Sequence, residues 1–307
     1  MKKYEEIDFA RCVLMAIVIL VHVVNFGNLH PGFKQSMFTF FMPAFLIITG
    51  YLVNIEKDVK EFAKYLKRIA LPYVIMVTSF SIMSLFLPVR DGLDSFSLSS
   101  IADRIFVSSI GPYWFLYDMI VCGTVYYAIF HTLGKLSTVS RLALFAFVLY
   151  ALALCLPLLT PADATLYFIG AALRQSGVDF RKAFPPTVFS LLPFVILIVQ
   201  PELWHRWICL VLPFFAISFL SWCHGTVTGK VKVAMNYCGR NTLPIYIFHP
   251  VFTMLSKYYL PLFAFDSSGI IHAAVTIALG FCGSLLIAKT LDKTRLSRVF
   301  GVGKLLR

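Results

Sequence analysis

Apolar runs of membrane-crossing length dominate this 307-residue chain and set the terms for everything else it can fold into. A helix needs about 20 predominantly apolar residues to cross the hydrocarbon layer. Runs of that kind fall near 9–28, 36–54, 69–88, 112–131, 141–159, 186–200, 206–223, 242–262 and 269–290. Hydrophobic residues make up 59% of the chain and charged residues 14%, against roughly half and a quarter in soluble domains. The fold class that follows is all-α, a polytopic transmembrane helical bundle.

A tenth stretch, "ATLYFIGAAL" at 164–173, is short and weak by itself, and the loop charges decide whether to count it. Lysine and arginine favour cytoplasmic loops. With ten helices and both termini cytoplasmic, only Lys34, Arg90, Arg104, Arg206 and Lys257 of the 27 lysines and arginines fall outside. Dropping the tenth stretch reverses every later loop and puts more cations outside than inside. Ten helices are therefore expected, as one membrane domain over 1–291 followed by a short basic cytoplasmic tail, 292–307. The first run follows Glu5, Glu6 and Asp8 and lacks a small-x-small cleavage site, so it reads as a retained helix rather than a signal peptide. The longest outer loop, about 89–111, is polar and serine-rich.

The net charge of +12 has an ordinary origin in such a protein, namely its cytoplasmic loops, and no nucleic-acid module accompanies it. Seven cysteines (Cys12, Cys122, Cys155, Cys209, Cys223, Cys238 and Cys282) are scattered, mostly in apolar segments. No CxxC pair or metal-ligand spacing occurs, so they read as small packing residues, with no metal site. GxSxG, P-loop, GxGxxG and HExxH patterns are absent.

Ionisable side chains at membrane depth cost roughly 2.5–3.5 kcal/mol each on insertion scales and mark candidate sites. In "IDFARCVLMAIVILVH", Arg11 and His22 are eleven residues apart. At 100° per residue that is about 20° past three turns, so both share a helix face, separated by about 16 Å. The structural alternative is a snorkelling arginine and a histidine hydrogen-bonded between helices. "KYLKRIALPY" places Lys64, Lys67 and Arg68 at the start of the third helix, either as ordinary positive-inside residues or as a phosphate-binding mouth. "GRNTLPIYIFHP" sets His249 inside the ninth helix, beside Pro250, where it is catalytic or satisfies a carbonyl that proline frees. In "GPYWFLYDMI", Trp114 suits an interfacial belt, and Asp118 is an intramembrane carboxylate for which Arg11 or either histidine is the expected partner. His30, His131, His205, His224 and His272 receive no role.

Several of these motifs, taken in order, resemble the membrane acyltransferase-3 family. "IDFAR" with His22 resembles its arginine-x10-histidine signature, and "FFMPAFLIITGYL" (Phe40–Leu52) its second-helix pattern. "KRIALPY", "PYWFL" and "GRNTLPIYIFHP" are similar to three further landmarks, and "YFIGAAL" to its short sixth span. Two departures stand out. Phe9-Ala10 replaces the usual Gly-Leu before the arginine, and the arginine-x-x-arginine pair of the third helix is lysine-rich here.

The resemblance implies transfer of an acyl group, acetyl above all, from cytoplasmic acyl-CoA to a hydroxyl of a sugar or cell-envelope glycan, lipid-linked or not, in a bacterial cytoplasmic membrane. Acetyl-CoA would be the donor co-substrate. Arg11, Lys64, Lys67 and Arg68 would take its phosphates and His22 would serve as general base, a role suited to a near-neutral pKa. Asp118 and His249 complete the candidate catalytic set. The competing reading is a proton-coupled exporter or flippase using Arg11, His22 and Asp118 as a relay. It predicts internal repeats, and none is visible.

Overall fold

A computed structural model describes residues 4–86, 92–204 and 206–307, with Ile208 and Cys209 described by backbone alone. Arg90, expected outside, and His205 lie outside the described residues. Every regular element among the described residues is a helix. In chain order the α-helices are α1 (Glu5–His22), α2 (Val24–Leu29), α3 (Pro31–Phe38), α4 (Phe41–Leu52), α5 (Val59–Ser84), α6 (Leu98–Asp103), α7 (Trp114–Thr132) and α8 (Thr138–Cys155). They continue as α9 (Pro161–Gln175), α10 (Phe180–Ala183), α11 (Leu191–Ile198), α12 (Leu212–Thr226), α13 (Gly229–Arg240), α14 (Thr242–Tyr259) and α15 (Ile270–Lys293).

Each of the ten stretches expected from hydropathy overlaps a helix among the described residues. Five segments are long and apolar enough to cross a membrane: Pro31–Leu52, Val59–Ser84, Gly111–Thr132, Thr138–Cys155 and Ile270–Lys293. Others are shorter than the sequence suggests. The first run is not one rod but two, because α1 ends at His22 and Val23 turns to an extended conformation before α2 begins. The run near 186–200 yields only the short helix Val188–Ile198, of which α11 is the eight α-helical residues, about 12 Å of rise. α8 leaves much of its apolar surface uncovered, with Phe147 71% and Leu154 83% exposed, as a lipid-facing helix does.

Local signals set the helix starts. Asp58 caps α5 by accepting from the Glu61 N–H, Ser137 caps α8, and Thr160 caps α9 through the Asp163 N–H. These are the short polar side chains that satisfy orphan N–H groups at a helix start.

The described residues form two compact units. One comprises the chain up to Phe45 with Val178–Arg295 and Lys304–Arg307. Here α1 is central, packed against α12, α13, α14 and α15, and α14 and α15 lie along each other. The last residues of the chain pack within this unit. Leu305 and Leu306 N–H groups donate to the Asp292 carboxylate at 2.7 and 3.0 Å, and the Arg307 N–H donates to Asn241 Oδ1 at 2.8 Å.

The other unit comprises Leu46–Gly177 and Leu296–Gly303, with α7 against α5, α8 and α9. Its tightest joint is between two of the quoted motifs. A Cβ at Gly50 of "ITGYL" would strike the Tyr167 backbone, and a Cβ at Gly170 of "YFIGAAL" would strike the Ile47 carbonyl. Reciprocal glycines let α4 and α9 touch backbone to backbone, the small-residue packing used between helices in lipid.

Candidate active site

The site begins at the start of α1. Asp8 and Arg11, one turn apart, form an ion pair at 3.9 Å. Asp8 also faces Arg240 Nε at 3.8 Å, and the Arg11 guanidinium donates to the Thr242 hydroxyl at the start of α14. Beneath this network a Cβ at Gly239 would collide with the Asp8 carbonyl oxygen, so α13 and α1 meet there at backbone contact. Asn241 holds Arg307 from both sides, accepting its N–H and donating to its carbonyl at 3.4 Å. Gly239, Arg240 and Thr242 of "GRNT" thus each contact α1, while Asn241 ties the end of the chain to the start of α14.

At the far end of α1 the same two helices bring His22 and His249 together. Their ring centroids are 5.5 Å apart and the rings lie edge to face at 68°. His22 Nδ1 lies 2.6 Å from the Val18 carbonyl and His249 Nδ1 2.8 Å from the Tyr246 carbonyl. A carbonyl oxygen only accepts, so in each ring Nδ1 carries the proton and, in the neutral ring, Nε2 keeps its lone pair. His249 is fully buried, and its Nε2 has no hydrogen-bond partner among the described residues. A buried imidazole with a bare basic nitrogen is an unusual expense in a packed helix interface. It singles out the histidine pair as a candidate site rather than ordinary packing.

Between the two ends, Leu14, Met15, Val18 and Ile19 of α1 and Ile245 of α14 are fully buried. The histidine pair therefore sits behind a dry apolar layer, about 16 Å along α1 from Arg11. The predicted spacing of Arg11 and His22 on one continuous helix is what the structure contains.

The remaining candidates lie in the other unit. Lys64, Lys67 and Arg68 occupy adjacent turns of α5, with both lysines exposed and the Lys67 stem lying along Gly301. Asp118 on α7 is fully buried. Both its oxygens are without a hydrogen-bond partner among the described residues, where the sequence led us to expect Arg11 or a histidine. Three of the histidines left without a role have structural contacts. His30 donates to the Ser268 carbonyl, His272 to the Ser256 carbonyl, and His131 stacks on Tyr127.

Sequence reasoning missed Asp8, Arg240 and Thr242 as site residues. Their signal was present in the quoted motifs, since "IDFAR" and "GRNT" hold an acid, a base and a hydroxyl at opposite sides of one helix joint.

Residues 4–289 match the family model described as "Acyltransferase domain" (Acyl_transf_3), nearly the whole chain. No curated protein and no solved structure matches it significantly.

Proposed function

Since the chain belongs to this acyltransferase family, we propose that it is an integral membrane O-acyltransferase. It moves an acyl group, acetyl in the simplest case, from acyl-CoA to a hydroxyl of a sugar or cell-envelope glycan. The observation that carries the reading is the His22–His249 contact, two imidazoles whose Nδ1 atoms are committed to carbonyls and whose Nε2 atoms are left for chemistry.

In this reading His22 is the general base. Its Nε2 takes the proton of the acceptor hydroxyl as the oxygen attacks the thioester carbonyl. The carbon–sulfur bond then breaks, and the departing thiolate recovers the proton from the imidazolium. Positioned bases of this kind contribute about 10²–10⁴-fold. His249 packs against the base and holds its ring orientation through the edge-to-face contact.

Lys64, Lys67 and Arg68 are assigned to the donor's phosphates, as three cations on adjacent turns suit a polyanion. Arg11, grouped with them on sequence grounds, is assigned the role of holding α1 to α14 through Asp8 and Thr242. The proposed topology has ten helices and cytoplasmic termini, so that donor cations face the compartment that contains acyl-CoA.

Purified protein reconstituted in vesicles with carbonyl-labelled acetyl-CoA and an envelope glycan tests the activity. Label appearing on the glycan supports the enzyme. Movement of glycan across the vesicle without donor, and without label transfer, supports an exporter instead. Mass spectrometry of envelope glycans from cells with and without the protein identifies the acceptor.

A further inference from the structure

Cys12 and Cys238 read in the sequence as unrelated packing residues, and the fold makes them neighbours. α1 and α13 pack along each other, tightest where Gly239 meets the Asp8 carbonyl. Cys12 lies one turn after Asp8 on α1, and Cys238 immediately precedes Gly239 on α13. Their side chains sit close enough to influence each other. Cys12 is buried and Cys238 partly exposed, and both are free thiols. A disulfide needs Cα atoms about 4.4–6.8 Å apart, and the backbone contact of Gly239 with Asp8 lies one residue from Cys238 and one turn from Cys12.

The two thiols are not equivalent. The neighbouring Cys12 thiol holds the Cys238 thiol below its ordinary pKa, outweighing the opposing effect of burial. The thiolate is the form that reacts with oxidants. Cys238 is therefore the accessible nucleophile and Cys12 the sheltered thiol placed to resolve it.

We propose that Cys12 and Cys238 form an oxidisable dithiol site that closes to an α1–α13 disulfide on reaction with a hydroperoxide. The Cys238 thiolate attacks one peroxide oxygen, the O–O bond breaks, and Cys238 becomes a sulfenic acid while the other oxygen leaves as water after protonation. The Cys12 sulfur then attacks Cys238, the S–O bond breaks, and the hydroxyl leaves as water with the Cys12 proton. In total two thiols are oxidised to one disulfide and one hydrogen peroxide is reduced to two waters. The bridge fixes α1 to α13 beside Asp8 and Arg11, and it stands independently of the acyl-transfer reading.

The test treats the purified full chain with hydrogen peroxide, alkylates the remaining thiols, and analyses the proteolytic peptides by mass spectrometry. The expected result is a joined Cys12–Cys238 peptide that dithiothreitol separates. It is absent from Cys12→Ser and Cys238→Ser, and dimedone traps Cys238 as its sulfenic acid in Cys12→Ser. Recovery of both cysteines as separate alkylated peptides from wild-type protein, under conditions that oxidise the exposed Cys155, overturns the proposal. Equal joining of Cys238 to other cysteines also overturns it. The wild-type measurement decides even if a variant fails to fold.

Discussion

His22 and His249 stand edge to face with ring centroids 5.5 Å apart, each holding its Nδ1 proton against a carbonyl of its own helix. The contact joins the end of α1 to the middle of α14, and the ion-pair network around Asp8 fixes the opposite end of the same interface. His249→Ala is expected to lower the acyl-transfer rate by about 10²-fold while leaving KM for the donor close to wild type, because the ring acts on the base and not on the CoA moiety. Steady-state kinetics with acetyl-CoA as varied substrate checks the split.

Gly239 provides a purely steric prediction. Gly239→Ala drives a methyl into the Asp8 carbonyl, and overpacking of this kind costs about 1–3 kcal/mol. Gly225→Ala meets nothing within 4 Å and is expected to be neutral or to stabilise by up to about 1 kcal/mol. Thermal unfolding in detergent separates the two, and equal midpoints would remove the close α1–α13 joint.

Arg11 and Thr242 are expected to be energetically coupled. Arg11→Ala and Thr242→Val should each destabilise, and the double variant should fall short of their sum by about 0.5–3 kcal/mol, as contacting residues do. Strict additivity would show that the guanidinium–hydroxyl contact contributes nothing.

Acid sensitivity is expected from Glu6. Burial is the largest single effect and would raise its pKa, but the Arg181 hydrogen bond at 2.6 Å, a backbone hydrogen bond and the nearby positive charge together hold the carboxyl below its usual value. Asp266 is lowered in the same direction by the Ser268 hydroxyl, with help from the Ile271 and His272 N–H groups at the start of α15. Groups whose folded pKa is depressed stabilise above their unfolded value, and that stability is lost as pH falls through the folded value. Arg181→Gln should therefore shift acid destabilisation to higher pH, read as the midpoint of unfolding across a pH series. No shift would mean that the pair contributes nothing.

The donor assignment has its own signature. Replacing Lys64, Lys67 and Arg68 together with glutamine should raise KM for acetyl-CoA at least tenfold, leave kcat largely intact, and flatten the dependence of KM on salt. An unchanged KM would separate these cations from the donor.

Much of this was legible in the sequence because the bilayer imposes strong rules. Apolar runs located ten helical stretches, and periodicity put Arg11 and His22 on one helix, which α1 confirms as continuous between them. The break at Val23 was not legible, since "VHVVNF" is uniformly compatible with helix and only tertiary packing decides where it ends. The reciprocal glycines of α4 and α9 were visible as motif letters, but their meaning lay in a backbone contact between segments far apart in the chain. The roles of Asp8, Arg240 and Thr242 were not legible for a related reason. In the sequence a surface charge and a partner in a network look alike until the neighbouring helix is in place.

The central claim is that His22 is the base. Wild-type and His22→Ala proteins, purified at matched levels and reconstituted identically, should be compared for transfer of label from acetyl-CoA to the envelope glycan. The account predicts that His22→Ala inserts and unfolds like wild type yet transfers label at least about 10²-fold more slowly. Transfer at the wild-type rate by His22→Ala would contradict it.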